Sequence, residues 1–300
     1  MYCVETADLV HRYTNDESVL NGINLQVPEG CIYGFLGPNG AGKTTTLRLL
    51  LGLLRKQKGS ISIFGKDFEA QRVDILRSVG SLVESPSLYE HLTATENLAL
   101  LQKVYQCPKN NIHHVLGLVG LSNTGNKNSG RFSLGMKQRL GIAMALLHTP
   151  SLVFLDEPTN GLDPNGIIEI RELLRTLNRN NGITIIVSSH VLSEVEKVVT
   201  HLGIIAKGRL VFQGELEELK RRQLQVLSVS LCVSDIAKTL QIVSQLYPKA
   251  HSHGGRVILP AISGEAIAMI NRSLIIQGVD VCEIEVVKND LEKIFMNLVS

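Results

Sequence analysis

Hydrophobic and polar positions change their spacing several times along this chain. Over roughly the first two hundred residues, short runs rich in β-branched and aromatic residues recur between stretches of helical spacing. These runs predict β-strands at CIYGFL (31–36), SISIF (60–64), SLVFLD (151–156), ITIIVSS (183–189) and LGIIAKGRLVFQG (202–214). Strands that alternate with helices indicate an α/β fold.

The strand pattern fades between Ser85 and Pro150. The segments TATENLALLQKVYQ (93–106) and SLGMKQRLGIAMALL (133–147) have helical apolar spacing, and each begins with a hydroxyl residue suited to an N-cap. The sequence therefore predicts a helical subdomain at about residues 85–150, inserted into a sheet domain at residues 1–215.

Charge rises at ELEELKRRQ (215–223), and a second alternating series follows it. This series predicts strands at LQVLSVSLCV, RVILPAI and VDVCEIEVV and helices at DIAKTLQIVSQLY, EAIAMINRSLIIQ and DLEKIFMNLV. We expect a small accessory α/β domain at residues 216–300.

Composition narrows the class of protein. The chain has 30 basic and 28 acidic residues among 300, a balance that argues against broad electrostatic binding to nucleic acid. Its five cysteines show no C-x-x-C spacing, which favours reduced thiols over a disulfide framework or a zinc site. The N-terminus lacks a secretory pattern. The longest apolar run, Leu47–Leu54, is interrupted and much shorter than the ~20 residues of a membrane span. We therefore expect a cytoplasmic protein.

A phosphate-binding motif stands at GPNGAGKT (37–44), which fits G-x-x-x-x-G-K-[ST]. It follows a predicted strand and opens the apolar helix TTTLRLLLGLL, as the motif requires. Backbone N–H groups of such a loop surround phosphates, Lys43 supplies a charge for the β/γ oxygens, and Thr44 offers a hydroxyl to Mg²⁺. The predicted phosphate-binding residues are Gly37, Pro38, Asn39, Gly40, Ala41, Gly42, Lys43, Thr44 and Thr45.

Two acids follow the apolar run LVFL (152–155). Asp156 is predicted to hold Mg²⁺ through the metal's shell, and Glu157 to orient and deprotonate an attacking water. A pair of acids that merely ends a strand is the alternative, which the upstream phosphate loop makes less favourable. His190 ends the next apolar strand. A single histidine there is usually structural, but its place beyond Asp156 favours a role in orienting the water and contacting the γ-phosphate.

The string RFSLGMKQRLGIAMAL (131–146), followed by LVFLDEP and NGLDP, makes residues 4–214 resemble ABC-type ATPases, with at least five motifs in the family's order. The resemblance implies a P-loop NTPase fold, ATP and Mg²⁺ as cofactors, and ATP hydrolysis coupled to transmembrane transport. It also implies two partners, integral-membrane permease subunits and a second copy of the chain, with a location on the inner face of the cell membrane. Nucleic acid is not an expected partner.

In that family a serine and a glycine at a helix N-terminus contact the γ-phosphate of ATP held by the opposite subunit. Ser133 and Gly135 match them, whereas Leu134 and Met136 depart from the glycine and glutamine of many members. The resemblance also assigns Tyr13 to stacking on adenine. It places Asp163 in the loop along the dimer interface.

Glu84 departs from the family in another way. It follows a strand where most members have a glutamine that contacts Mg²⁺ and the attacking water, and a carboxylate is a stronger ligand for a hard cation. With Glu84 and with Leu134 and Met136 in the segment FSLGMKQRL, the chain resembles the branch of the family that serves lantibiotic self-protection and bacitracin-resistance exporters. An isolated substitution that weakens coupling is the alternative.

Three functions therefore compete. The favoured one is an ATPase subunit that powers export of a peptide antibiotic, with export of another small molecule or a lipid as the nearest alternative. The second is a soluble ABC-type ATPase acting on nucleic acid or ribosomes, which the single motif set without a long coiled coil disfavours. The third is a nucleotide-gated module that binds ATP without hydrolysing it. The sequence argues against this function because it retains the predicted hydrolytic residues Lys43, Asp156, Glu157 and His190.

Overall fold

The computed structural model describes residues 1–13, 18–223, 226–288 and 291–299. The chain divides into two compact units, a larger one built from Met1–Leu216 with the last few residues, and a smaller one at Glu217–Asn297. Leu224, Gln225 and Asp290, which the sequence pattern assigns to a strand and a helix of the C-terminal series, lie outside the described residues.

The strands and helices have the following bounds. The strands are β1 (Tyr2–Arg12), β2 (Ser18–Ile23), β3 (Gln26–Pro28), β4 (Ile32–Leu36), β5 (Lys58–Ile63), β6 (Lys66–Asp67), β7 (Val79–Leu82), β8 (Leu152–Asp156), β9 (Thr184–Ser189), β10 (His201–Ala206), β11 (Arg209–Glu215), β12 (Val226–Val233), β13 (His251–His253), β14 (Arg256–Pro260) and β15 (Val281–Lys288). The helices are α1 (Lys43–Leu50), α2 (Arg72–Leu76), α3 (Ala94–Tyr105), α4 (Asn110–Leu118), α5 (Leu134–Leu146), α6 (Pro164–Asn181), α7 (Leu192–Val195), α8 (Leu216–Gln223), α9 (Ile236–Val243), α10 (Gly264–Ile276) and α11 (Leu291–Val299), with 3₁₀ turns at Ser122–Thr124 and Ser129–Arg131.

The central sheet of the larger unit has the order β11-β10-β4-β9-β8-β7. Its strands from β10 to β7 run parallel, and β11 pairs antiparallel with β10. β4, β8 and β9 are buried along their whole length, as their uninterrupted apolar sequences require when both faces of a parallel sheet are covered. The predicted α/β fold is confirmed, and the carboxyl ends of the parallel strands meet at one edge.

A second, antiparallel sheet lies in the same unit, with the path β2-β1-β5-β6 and β3 paired to β1. The predicted strand SISIF belongs to this sheet, as part of β5. β1 was not predicted because its sequence, YCVETADLVHR, mixes polar and apolar residues, and its pairing with β2 and with β5 is interrupted by register shifts. The alternation that marks a regular strand is therefore broken within it.

Helices α3, α4 and α5 pack against one another within the predicted helical segment, and α5 also packs against β7. Thr93 and Glu96 form a capping box at the start of α3. The buried side chain of Asn97, on the first turn of α3, bonds to the backbone N–H and carbonyl of Tyr89 and to the carbonyl of Leu92. This amide therefore ties the loop before α3 to the helix itself.

The smaller unit contains the series β12-α9-β13-β14-α10-β15, with the sheet order β13-β14-β12-β15 and every neighbouring pair antiparallel. This order of elements along the chain is that of a ferredoxin-like domain. Its core is formed by apolar side chains of the sheet and the two helices, among them Val229, Leu231, Val257 and Leu274. No described helix of the chain is long and apolar enough to cross a membrane.

The core of the smaller unit predicts the effect of a single truncation in α10. Leu274 is fully buried, so Leu274→Ala removes apolar contacts and leaves a cavity, at a cost of about 2–5 kcal/mol in the free energy of unfolding. Ile276, on the same helix, is 84% exposed, and Ile276→Ala is the matched control with a change below about 0.5 kcal/mol. Denaturant unfolding of both variants measures the difference. Equal losses would contradict the assigned core.

Candidate functional site

The loop Gly37–Gly42 joins β4 to α1. Gly40 and Gly42 have φ angles of 78° and 110°, the left-handed region that glycine adopts without a steric penalty. Gly42 is the N-cap of α1 and contributes no side-chain cap, so the first N–H groups of this helix remain available to an anion.

Neighbouring elements hold this loop in place. A Cβ atom built on Gly37 would lie 2.3 Å from the carbonyl oxygen of Ile205 on β10, a distance that no side chain can occupy. A Cβ atom built on Gly40 meets nothing within 4 Å. The loop therefore packs closely against the sheet at its start and is open to solvent at its tip.

Lys43 is nearly buried at the start of α1. Its ammonium donates to the carbonyl oxygens of Gly37 at 2.8 Å and Pro38 at 3.3 Å, and it lies 3.4 Å from Oε1 of Glu157. The charge predicted for the β/γ phosphates is thus held inside the loop, next to the proposed catalytic carboxylate.

Asp156 ends β8 and is 3% exposed. The hydroxyl of Thr44 donates to its Oδ2 at 2.8 Å, and the hydroxyl of Ser188 donates to its Oδ1 at 2.5 Å. Ser188, which lies opposite Asp156 in the pairing of β8 with β9, also accepts the backbone N–H of Glu157 at 2.9 Å. Two strand ends and the start of α1 therefore meet at one carboxylate.

Glu157 and His190, predicted from separate strands, lie in direct contact. Nδ1 of His190 is 2.8 Å from Oε2 of Glu157, whose other oxygen faces Lys43. The backbone of Glu157 is left-handed, with φ 49°, and its side chain is mostly buried. A carboxylate fixed at both oxygens beside an open phosphate loop can accept a proton from water held there.

A cavity of about 590 Å³ lies over the phosphate loop, within the size range of small-molecule sites. Tyr13 is half exposed at this cavity, with its hydroxyl 3.2 Å from Oγ1 of Thr45 and its ring edge-to-face with His11. An aromatic ring at the rim can stack on a base. The lining consists of Tyr13, Val19, Asn39, Gly40, Gly42, Lys43, Thr44, Thr45, Glu157, Asn160 and His190.

Ser133, Gly135 and Asp163 lie outside the lining of this cavity. Ser133 is the N-cap of α5, where its hydroxyl accepts the N–H of Met136, and Asp163 is the N-cap of α6, where its carboxylate accepts the N–H of Gly166. The chain therefore does not bring its own signature residues to its own phosphate loop.

Glu84 lies just beyond β7 in a left-handed conformation, with φ 62°. Its carboxylate accepts a hydrogen bond from the guanidinium of Arg48 on α1. Glu84 lines a second cavity, of about 520 Å³, together with Thr44, Ser85, Pro86, Leu88, Glu90, Leu134, Lys137, Gln138, Asp156, Glu157 and Asn160. The assignment of Glu84 to Mg²⁺ stays a prediction, and its direct partner in the structure is Arg48.

Three residues at the site escaped sequence reasoning. Ser188 connects Asp156 to Glu157, Asn160 lines both cavities, and Arg48 pairs with Glu84. A signal existed for Ser188 alone, because a hydroxyl residue near the end of an otherwise apolar strand requires a polar partner when buried. Nothing in the spacing of the sequence connects Arg48 to Glu84.

The chain has close relatives along its whole length. It is 44% identical to the bacitracin transport ATP-binding protein BcrA of Bacillus licheniformis over 99% of this chain and 97% of the relative. It is 38% identical to the protein of the same name from Enterococcus faecalis, over 99% and 96%. The lantibiotic transport ATP-binding protein SrtF of Streptococcus pyogenes is 42% identical, over 69% of this chain and 91% of the relative.

Solved structures share the fold of most, but not all, of this chain. An ATP-binding subunit of an ABC transporter is 30% identical, with a TM-score of 0.65 over 73% of this chain and 92% of the other. A dimeric ATP-binding cassette in a post-hydrolysis state with ADP and phosphate is 25% identical, with a TM-score of 0.64 over 71% and 98%. The P-loop fold and nucleotide site thus define an ATP-binding cassette.

Residues 20–160 match the family model of the ABC transporter. With the full-length relatives, this match shows that the chain belongs to the ATP-binding subunits of ABC transporters. Members of this family hydrolyse ATP to power transport, so the predicted resemblance and the predicted ATPase are confirmed.

The contact between Ser188 and Asp156 predicts the effect of removing one hydroxyl. Ser188→Ala takes a donor from Asp156 and leaves the N–H of Glu157 without its partner, which costs about 1–3 kcal/mol in the free energy of unfolding. We also expect kcat for ATP to fall at least tenfold, because Glu157 loses the bond that fixes its backbone. Ser81→Ala, at an exposed position on β7, is the control. A wild-type kcat in Ser188→Ala would contradict this role.

Proposed function

We propose that this chain is the ATP-hydrolysing subunit of an exporter that confers resistance to a peptide antibiotic of the bacitracin type. The observation that carries the proposal is the 44% identity to a bacitracin transport ATP-binding protein across the full length of both chains. A lantibiotic is the second candidate substrate, supported by the 42% identity to a lantibiotic transport ATP-binding protein.

The extent of the matches favours the first candidate. The match to the bacitracin protein leaves about 1% of this chain uncovered, so it includes nearly all of the smaller unit at Glu217–Asn297. The match to the lantibiotic protein leaves 31% of the chain uncovered. We infer that residues 1–215 act as the nucleotide-binding domain, with the helical subdomain at about 85–150, and that residues 216–300 form an accessory domain shared with the bacitracin branch.

The site residues receive roles consistent with their contacts. Tyr13 stacks on adenine, and the loop from Gly37 to Thr45 holds the phosphates. Glu157 orients and deprotonates the attacking water, and His190 fixes its carboxylate and contacts the γ-phosphate. Lys43 moves from Glu157 to the β/γ oxygens when nucleotide binds.

Mg²⁺ fits the donors at the base of the site. The hydroxyl of Thr44 and the carboxylate of Asp156 are hard oxygen donors already in contact, and Glu84 lines the same cavity. The residues that the structure describes contain no cluster of three or more His, Cys, Asp or Glu side chains suited to a metal. Mg²⁺ usually keeps several waters and is bound through one or two carboxylates and the substrate phosphates, a mode that the oxygen donors of Thr44 and Asp156 fit.

A second copy of the chain completes the site in this proposal. Ser133 and Gly135 lie at the N-terminus of α5, and Asp163 is the N-cap of α6; none of the three lines the phosphate cavity of its own chain. A helix N-terminus with a serine hydroxyl can bind the γ-phosphate of a nucleotide held by a partner. Permease subunits then place the dimer on the inner face of the cell membrane.

Growth assays test the proposed substrate. Deletion of the gene in its source bacterium is expected to lower the inhibitory concentration of bacitracin at least fourfold, and re-expression of the wild-type chain to restore it. Glu157→Gln should fail to restore it, because the general base is lost while the fold persists. A panel containing bacitracin, several lantibiotics and an unrelated cell-wall antibiotic separates the candidates.

Each outcome of this panel is informative. Sensitisation to lantibiotics alone would replace bacitracin by the second candidate. No sensitisation to any peptide would contradict peptide export. Full restoration by Glu157→Gln would show that resistance does not depend on this carboxylate.

The proposed role of the second copy predicts an ATP-dependent dimer. Purified Glu157→Gln is expected to dimerise with ATP and remain monomeric with ADP, because unhydrolysed γ-phosphate keeps both halves of the site engaged. Glu157→Gln combined with Ser133→Arg should stay monomeric, since a large side chain then occupies the phosphate contact. Sedimentation velocity measures both. If Glu157→Gln sediments as a monomer in the presence of ATP, the proposed ATP-dependent dimer is contradicted.

A further inference from the structure

We propose that Arg48 is a positioning residue of the ATP site, which holds the carboxylate of Glu84 and balances its charge so that the site accepts an anionic nucleotide. The inference rests on the ATP binding shown for this family, and it holds for any transported substrate.

The two residues reach the site from different elements. Arg48 lies one helical turn after Thr44 on α1, so the two side chains share a face of the helix. β7 pairs with β8 in parallel, with Leu82 opposite Leu155, so Glu84 leaves the sheet at the same edge as Asp156. The hydrogen bond between Arg48 and Glu84 therefore joins the helix of the phosphate loop to the segment that leads into the helical subdomain.

The cavity of about 520 Å³ gathers several negative charges near the phosphate loop. Each of its three glutamates contacts a basic side chain: Glu84 contacts Arg48, Glu90 contacts Lys137, and Glu157 contacts both Lys43 and His190. Lys137 also keeps the pKa of Glu90 below its usual range through their hydrogen bond. When Lys43 turns to the phosphates of ATP, Arg48 remains as the counter-charge of Glu84.

Folding stability alone does not account for this pair. The side chains of Arg48 and Glu84 are 33% and 61% exposed, and exposed ion pairs contribute little to stability. Glu84 also adopts the left-handed backbone that a residue with a Cβ atom disfavours. Because the backbone conformation of Glu84 is unfavourable and its ion pair with Arg48 stabilises the fold little, we attribute the pair to a role in the ATP site.

Nucleotide binding measured without metal isolates the charge effect. A fluorescent ATP analogue is titrated in excess chelator against the wild type, Arg48→Met, Glu84→Gln and the double variant. Arg48→Met leaves the charge of Glu84 unbalanced, and we expect about fivefold weaker binding. In the double variant both charges are gone, so affinity should return to within about twofold of the wild type.

Two further variants separate positioning from a general structural role. Arg48→Lys keeps the charge and should recover most of the affinity. Arg77→Met, which removes an arginine from an exposed pair with Asp74 on another helix, is the matched control and should bind like the wild type. The loss in Arg48→Met should shrink as salt is raised, because screening weakens an exposed charge.

An equal loss in Arg48→Met and in the double variant would overturn the proposal, because the effect would then not depend on Glu84. Unchanged affinity in Arg48→Met would overturn it as well. Should Arg48→Met fail to fold, Glu84→Gln alone decides. It frees the charge of Arg48, so tighter binding at low salt is expected, and weaker or unchanged binding would contradict the balance of charge.

Discussion

One buried carboxylate organises the larger unit. Asp156 accepts hydroxyl hydrogen bonds from Thr44 on α1 and from Ser188 on β9, and it ends β8 itself. A buried charge is tolerated only when its oxygens are satisfied, so three elements must converge before this residue can occupy its place. This convergence brings together the phosphate loop before α1, Glu157 after β8 and His190 after β9.

The sequence predicts the elements of this site well and its cross-connections poorly. The strand that ends in Asp156, the strand that precedes His190, the N-caps at Thr93 and Ser133 and the phosphate loop all carry local signals, because spacing and capping act over a few residues. The hydrogen bond from Ser188 to Asp156 spans 32 positions and the pair of Arg48 with Glu84 spans 36. Contacts of this kind depend on sheet order, which no local pattern specifies.

The same limit applies to the architecture. Predicted strands divide between a mostly parallel and an antiparallel sheet, and the single run SISIF gives no indication of which sheet it joins. In the smaller unit, the predicted strands and helices occur in the predicted order, but the short strand β13 was not predicted, because its sequence HSH is polar and exposed. The ferredoxin-like pairing, which includes β13, is visible only in the structure. Because the ferredoxin-like fold occurs in proteins with many different functions, the strand pairing describes the fold of the proposed accessory domain but does not indicate what that domain binds.

Gly37 and Gly40 of the phosphate loop differ in the substitutions that the fold tolerates at each position. Gly37 is closed by a neighbour, since the carbonyl of Ile205 fills the space of any side chain, and substitution there would require β10 to move. Within the chain, Gly40 is constrained only by its left-handed torsion, because no atom of the protein lies within 4 Å of where a Cβ would stand. The fold itself therefore leaves room for asparagine at the tip of the loop, where the bound nucleotide is the remaining constraint, while the base admits nothing larger than hydrogen.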